Sequence, residues 1–132
     1  MSDPLFRLAC APAVLDSAPA GWVETMLEEG EIAVLADAGG LDAITALAHA
    51  LDLITVRVLR AEQTPAEQEA TVMAYADGKP LVWITASFSD DARRGAQRRG
   101  PMTLLLEADR SLSEDERKRV DRFVVILGRQ AE

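Results

Sequence analysis

The chain is short of the residues that usually staple or advertise a site. Cys10 is its one cysteine, so no internal disulfide is possible. That fits a reducing compartment, and a cytoplasmic location is the expectation. His49 is its one histidine. Zinc favours Cys and His ligands, and with one of each far apart in sequence no zinc site is expected. Aromatic residues are only 5% of the chain. No apolar run approaches the roughly 20 residues that span a bilayer; the longest are as short as Phe123 to Leu127. Met1-Ser2-Asp3-Pro4 lacks the basic start and apolar stretch of a signal peptide. Neither GxGxxG nor GxxxxGK[ST] occurs, so no nucleotide fingerprint and no cofactor is indicated.

What is present describes an ordinary folded domain. Its 132 residues suit one domain that buries about two-thirds of its unfolded surface without a staple. Hydrophobic residues at 48% and charged residues at 27% are a globular balance, and the Ala/Arg-rich composition has a bacterial cast. The formal net charge of −8 argues against nucleic acid and anionic membrane surfaces as partners. Residues 1–89 carry 13 acids and 4 bases, whereas residues 90–132 carry 9 acids and 10 bases. The acidic character therefore belongs to the first two-thirds.

Hydrophobic periodicity predicts an α+β fold built as one mixed five-stranded sheet with helices packed on it. Pro4, Pro12 and Pro19 mark residues 1–20 as an irregular arm, with room for a helical turn at Ala13–Asp16, ahead of a single domain over 21–132. Trp22 to Glu29 reads as a short helix stopped by Gly30. Glu31 to Ala36 reads as a buried strand, Asp37–Gly40 as a turn, Leu41 to Leu51 as a helix and Leu53 to Leu59 as a strand. Together these make a parallel strand–helix–strand unit. Residues 61–68 form a polar connection in which Pro65 could start a helical turn. Thr71 to Ala76 and Leu81 to Phe88 flank Asp77-Gly78, the strongest short-range signal for a β-hairpin. A polar helix over 90–99 and a strand over Met102 to Glu107 follow. Ser113 and Glu116 form a capping box for a last helix. Within it Val120, Phe123, Val124 and Leu127 fall at helical spacing, although residues 120–127 are β-branched enough to form a strand instead.

Candidate chemistry is sparse. His49 shares a polar helix face with Asp42, Thr45 and Asp52; it is either a base with a carboxylate partner or a solvated surface residue. Asp37 and Asp42 flank Gly39-Gly40, as Mg²⁺ ligands or as helix caps. Cys10 is a thiol nucleophile or a small buried filler. Thr85, Ser87 and Ser89 offer hydroxyls without a nucleophile-elbow pattern, as nucleophiles or as groups that cap the following helix or face solvent. The strongest cluster is Arg93, Arg94, Arg98 and Arg99, which can clamp a carboxylate or phosphate, offset the acidic body, or meet an acidic face of a second copy. Tyr75 and Trp83 could line a ligand pocket on one sheet face or fill the core.

From Gly40 to Glu62, through Ala76-Asp77-Gly78-Lys79-Pro80, to Arg99-Gly100-Pro101-Met102, the layout resembles chorismate lyases and the related effector-binding domains of bacterial regulators. The arginine those lyases carry on the hairpin is unmatched, since Ala70, Thr71 and Val72 stand on the first strand. Their closing acidic strand is not evident. The stretch from Gly100 to Gln130 is similar to the last strand and helix of GAF sensory domains. Neither resemblance assigns the chain to a family.

The reading that follows is a non-enzymatic regulatory module binding a small ligand or a protein partner, as a homodimer joined through Phe123, Val124 and Leu127. The alternatives are a small enzyme acting on an anionic metabolite held by the arginines, and a regulator or immunity-type protein showing its acidic surface to a basic partner.

Overall fold

The computed structural model describes residues 5–19, 21–35, 45, 49, 57–59, 64–108 and 111–131. Its strands are β1 (Arg7–Cys10), β2 (Glu31–Leu35), β3 (Arg57–Leu59), β4 (Leu81–Thr85) and β5 (Thr103–Glu107). The helices described are α1 (Pro12–Asp16), α2 (Trp22–Glu29), α3 (Pro65–Ala76), α4 (Asp90–Arg99) and α5 (Glu114–Ala131), with a 3₁₀ turn at Gly100–Met102. One five-stranded sheet carries the helices in a single domain, as the periodicity predicts. The expected turn at Asp37–Gly40 and the expected strand before residue 57 lie outside the described residues. So does most of the Leu41–Leu51 helix, of which Thr45 and His49 are seen, helical and exposed.

The strands are ordered β3-β2-β1-β4-β5, and every pairing is parallel. A mixed sheet was expected, and the hairpin that required it does not form. Residues 71–76 belong to α3. Thr64 caps that helix by accepting from the Glu67 N–H at 3.2 Å, and Pro65 occupies its first turn. Alanines, glutamates and glutamine then carry it past the β-branched pair Thr71 and Val72. Asp77 takes a left-handed conformation (φ 47°) and Gly78 follows at φ 78°. Asp-Gly here ends a helix instead of turning a hairpin.

Residues 7–10 correct the expectation of an irregular arm. They form the middle strand, bonded to β2 on one side and β4 on the other. The strands alternate by face in the two-residue period of extended chain. Phe6, Leu8, Cys10, Ile32, Val34, Val82, Ile84 and Leu106 face α1, α2 and α5. Ala9, Ala33, Leu35, Leu59, Leu81 and Trp83 face α3 and α4. A parallel sheet covered on both faces explains why these strands read as almost unbroken apolar runs.

The last helix resolves the ambiguity over 120–127 in favour of helix. Ser113 Oγ accepts from the Glu116 N–H at 3.1 Å and Glu116 Oε1 accepts from the Ser113 N–H at 2.8 Å, closing the capping box. Val120, Val124 and Leu127 are buried in the core and Phe123 packs against it. Val124 and Leu127, expected at an interface between copies, are thus buried in the protomer's own interior, and Phe123 is half-buried against it. Leu127→Ala should cost about 2–4 kcal/mol in chemical denaturation while leaving the mass in solution unchanged.

Gly30 shows how tightly the first face is packed. A Cβ there would lie 2.6 Å from Cε1 and Cζ of Phe6, whose side chain is completely buried. Gly30→Ala should therefore lower stability by about 1–3 kcal/mol. The companion variant Gly30→Ala/Phe6→Leu, read by the same denaturation midpoint, should recover part of the loss.

Candidate functional site

Strand order directs attention to the carboxyl edge of the sheet. The chain steps from β1 to β2 to β3 on one side, then crosses back to place β4 on the other side of β1. The connections leaving β1 and β4 consequently go to opposite faces. In open parallel sheets ligands bind beyond the carboxyl ends at such a reversal.

A cleft of about 310 Å³ lies at that edge, lined by Thr64, Pro65, Gln68, Trp83, Thr85, Ser87, Phe88, Ser89 and Ala92. Three pieces of local structure build it. The first turn of α3 contributes the Thr64 cap and Pro65. β4 ends at Thr85, and the segment 86–89 brings in Ser87 and Phe88. Ser89 then caps α4, its hydroxyl accepting from the Ala92 N–H at 3.1 Å. Phe88 stands edge-on to Trp83, with centroids 5.0 Å apart and planes at 81°. Trp83 is buried, and its Nε1 has no hydrogen-bond partner. The lining is hydroxyl, amide, aromatic and small apolar. Among the described residues it holds no paired acid and base.

Of the residues singled out from the sequence, Trp83, Thr85, Ser87 and Ser89 meet in this cleft. The arginines do not. Arg93 pairs with Glu107, and Arg94 with Asp91. Arg99 Nε donates to Thr103 Oγ1 at 2.6 Å and its second nitrogen donates to the Lys79 carbonyl, fastening α4 to the start of β5. Arg98 is exposed. No anion clamp is assembled from the four.

Tyr75 shares the α3–α4 side of the sheet with Trp83, but from a helix, and it belongs to a polar cluster at the amino edge. Arg7 and Glu31 are register partners on adjacent strands. Arg57 Nη1 lies 3.5 Å from Glu31 Oε1, and Arg7 Nε lies 3.9 Å from Glu31 Oε2. Both guanidinium groups sit over the Tyr75 ring, at 5.3 Å for Arg7 and 5.5 Å for Arg57. Arg7 also donates to the Tyr75 carbonyl. Burial, then the Glu31 charge, raise the phenol above its ordinary pKa against the opposing pull of both arginines. The phenol faces Glu31 without closing a hydrogen bond to it. Sequence reasoning missed this cluster. Its only trace is that Arg7, Glu31 and Arg57 each stand beside an apolar strand core.

Elsewhere the chemistry is quiet. Cys10 is fully buried, and burial pushes its thiol up to about 12. Among the described residues no three His, Cys, Asp or Glu side chains gather as a metal centre needs; Asp37 and Asp42 lie outside them. None of the described helices is long and apolar enough to cross a membrane. A shallow groove of about 500 Å³ separates α2 from α5, floored by Leu5, Met26, Val124 and Val125.

Comparison with family models, with curated proteins and with solved structures returned no match. The likeness to chorismate lyases depended on a hairpin around Ala76–Pro80, and α3 occupies its first strand. The strand and helix that prompted the likeness to GAF domains do form, as β5 and α5, with β5 parallel to its neighbour.

The Cys10 environment predicts its reactivity. At neutral pH the raised pKa keeps the thiol protonated, so the native protein should react with a thiol-specific disulfide reagent at least about a hundredfold more slowly than the same protein in denaturant. Comparable rates in the two conditions would show that the strand opens readily.

Proposed function

We propose that this chain is a small-molecule-binding module without catalytic machinery of its own, and that its ligand occupies the cleft at the carboxyl edge of β4. One observation carries the reading: a cleft whose described lining is uncharged lies at the carboxyl edge of β4, one of the two strands at the topological reversal, between the first turns of two helices. Its volume is at the small end of ligand sites. The aromatic pair Trp83 and Phe88 supplies apolar surface, and the hydroxyls around it supply directional bonds. The absence of an acid–base or nucleophile–base pair from the lining favours binding over turnover. This is the regulatory-module reading of the sequence, with the site moved away from the arginines.

The test uses Trp83 as its own reporter. With Trp22→Phe the only remaining tryptophan is Trp83, and a library of small metabolites and fragments is screened by its fluorescence. Bound compounds should shift the emission and raise Tm. Ser87→Trp, built on the wild-type background at an exposed position of the lining, should fill the cleft and abolish the Tm gain for the same compounds. Compounds that bind equally well to the filled variant would place the site elsewhere.

A further inference from the structure

We infer that the cleft selects uncharged planar carbonyl compounds, of which aromatic amides are the simplest, over carboxylates and phosphates of the same shape. This inference rests on the proposed ligand site and narrows it to a class of ligand.

The starting point is the lining, in which no side chain carries a charge among the described residues. An anion would look for Lys or Arg, or for the free N–H groups and positive end of a helix. Two helices do begin at this cleft, but each start is already partly answered. At α3 the Glu67 N–H is taken by Thr64 Oγ1, and Pro65 has no N–H to give. At α4 the Ala92 N–H is taken by Ser89 Oγ. Acidic side chains occupy both first turns, Glu67 in α3 and Asp90 and Asp91 in α4. They offset the positive helix ends and repel a negative ligand. The arginines nearest in sequence, Arg93 and Arg94, are paired with Glu107 and Asp91. A carboxylate or phosphate would therefore leave water for a site with no opposite charge.

A neutral carbonyl compound meets the opposite situation. Its ring has Phe88, Pro65 and Ala92 to pack on. Its oxygen can accept from the hydroxyls of Thr85 and Ser87, which bond to no other described residue in the structure. Trp83 belongs to the same wall, and its buried Nε1–H, which lacks a partner, serves as a reporter next to the cleft. A volume of about 310 Å³ leaves space for one ring with its substituent.

Benzamide and benzoate test the charge directly, because the two have nearly the same shape. Each is titrated into Trp22→Phe protein at neutral pH and low salt, following the indole N–H resonance of Trp83. Benzamide should shift that resonance and bind about tenfold tighter than benzoate, a difference of about 1.4 kcal/mol. In the doubly neutralised variant Glu67→Gln/Asp90→Asn, which keeps both capping hydroxyls, the preference should shrink severalfold. Benzoate binding as tightly as benzamide would overturn the selectivity while leaving the cleft a ligand site. No shift with either compound would overturn the class, and the fluorescence screen above would then show separately whether the cleft binds anything. An unchanged preference in the neutralised variant would overturn the electrostatic account.

Discussion

β1 is four residues long, yet it hydrogen-bonds to a parallel strand on each side and contributes side chains to both cores. Everything else is arranged around that strand. Because β2 and β3 extend from one of its edges and β4 and β5 from the other, the connecting helices must change faces between them if each crossover is right-handed. That change of face parts the connections beyond β1 and β4. The hydroxyl-lined cleft lies at the same carboxyl edge, between the exit of β4 and the start of α3.

The two edges of the sheet differ in kind. At the carboxyl edge the polar groups are neutral hydroxyls and an amide around an aromatic pair, lining a cleft. At the amino edge Arg7, Glu31, Arg57 and Tyr75 crowd together, and charge is set against charge over a nearly buried ring. Arg7 Nε, Glu31 Oε1 and the Tyr75 hydroxyl each lack a hydrogen-bond partner there. A buried phenol with two arginines over its ring holds α3 against the strand starts, at the cost of imperfectly answered polar atoms.

Elements defined by local chemistry were legible in the sequence. Gly30 stops α2 where expected, Ser89 begins α4, and the Ser113–Glu116 box begins α5. One failure came where the deciding partner is distant, the other where a helix start several residues upstream outweighs strand-like residues. Arg7–Cys10 is too short and too close to prolines to stand out as a strand, and only its pairing with Glu31–Val34 and Leu81–Trp83 makes it one. Thr71–Ala76 has strand-like residues, but the Thr64 cap and Pro65 upstream commit it to a helix. The site was legible in part. Trp83 and the hydroxyls of Thr85, Ser87 and Ser89 were in view, but nothing local to them says that the start of α3 closes the cleft. The arginines drew attention by their number, and their partners Glu107, Asp91, Thr103 and Lys79 are visible only in three dimensions.

The place of β1 in the chain also shapes how the molecule is made. Its neighbours are β2, nearby in sequence, and β4, which begins only at Leu81. During synthesis the middle strand must therefore wait, with one edge unpaired, until more than half of the chain has left the ribosome. Such long-range parallel pairing slows folding and leaves an open strand edge exposed to other chains meanwhile. The apolar face that later packs under α5 is exposed for longer still.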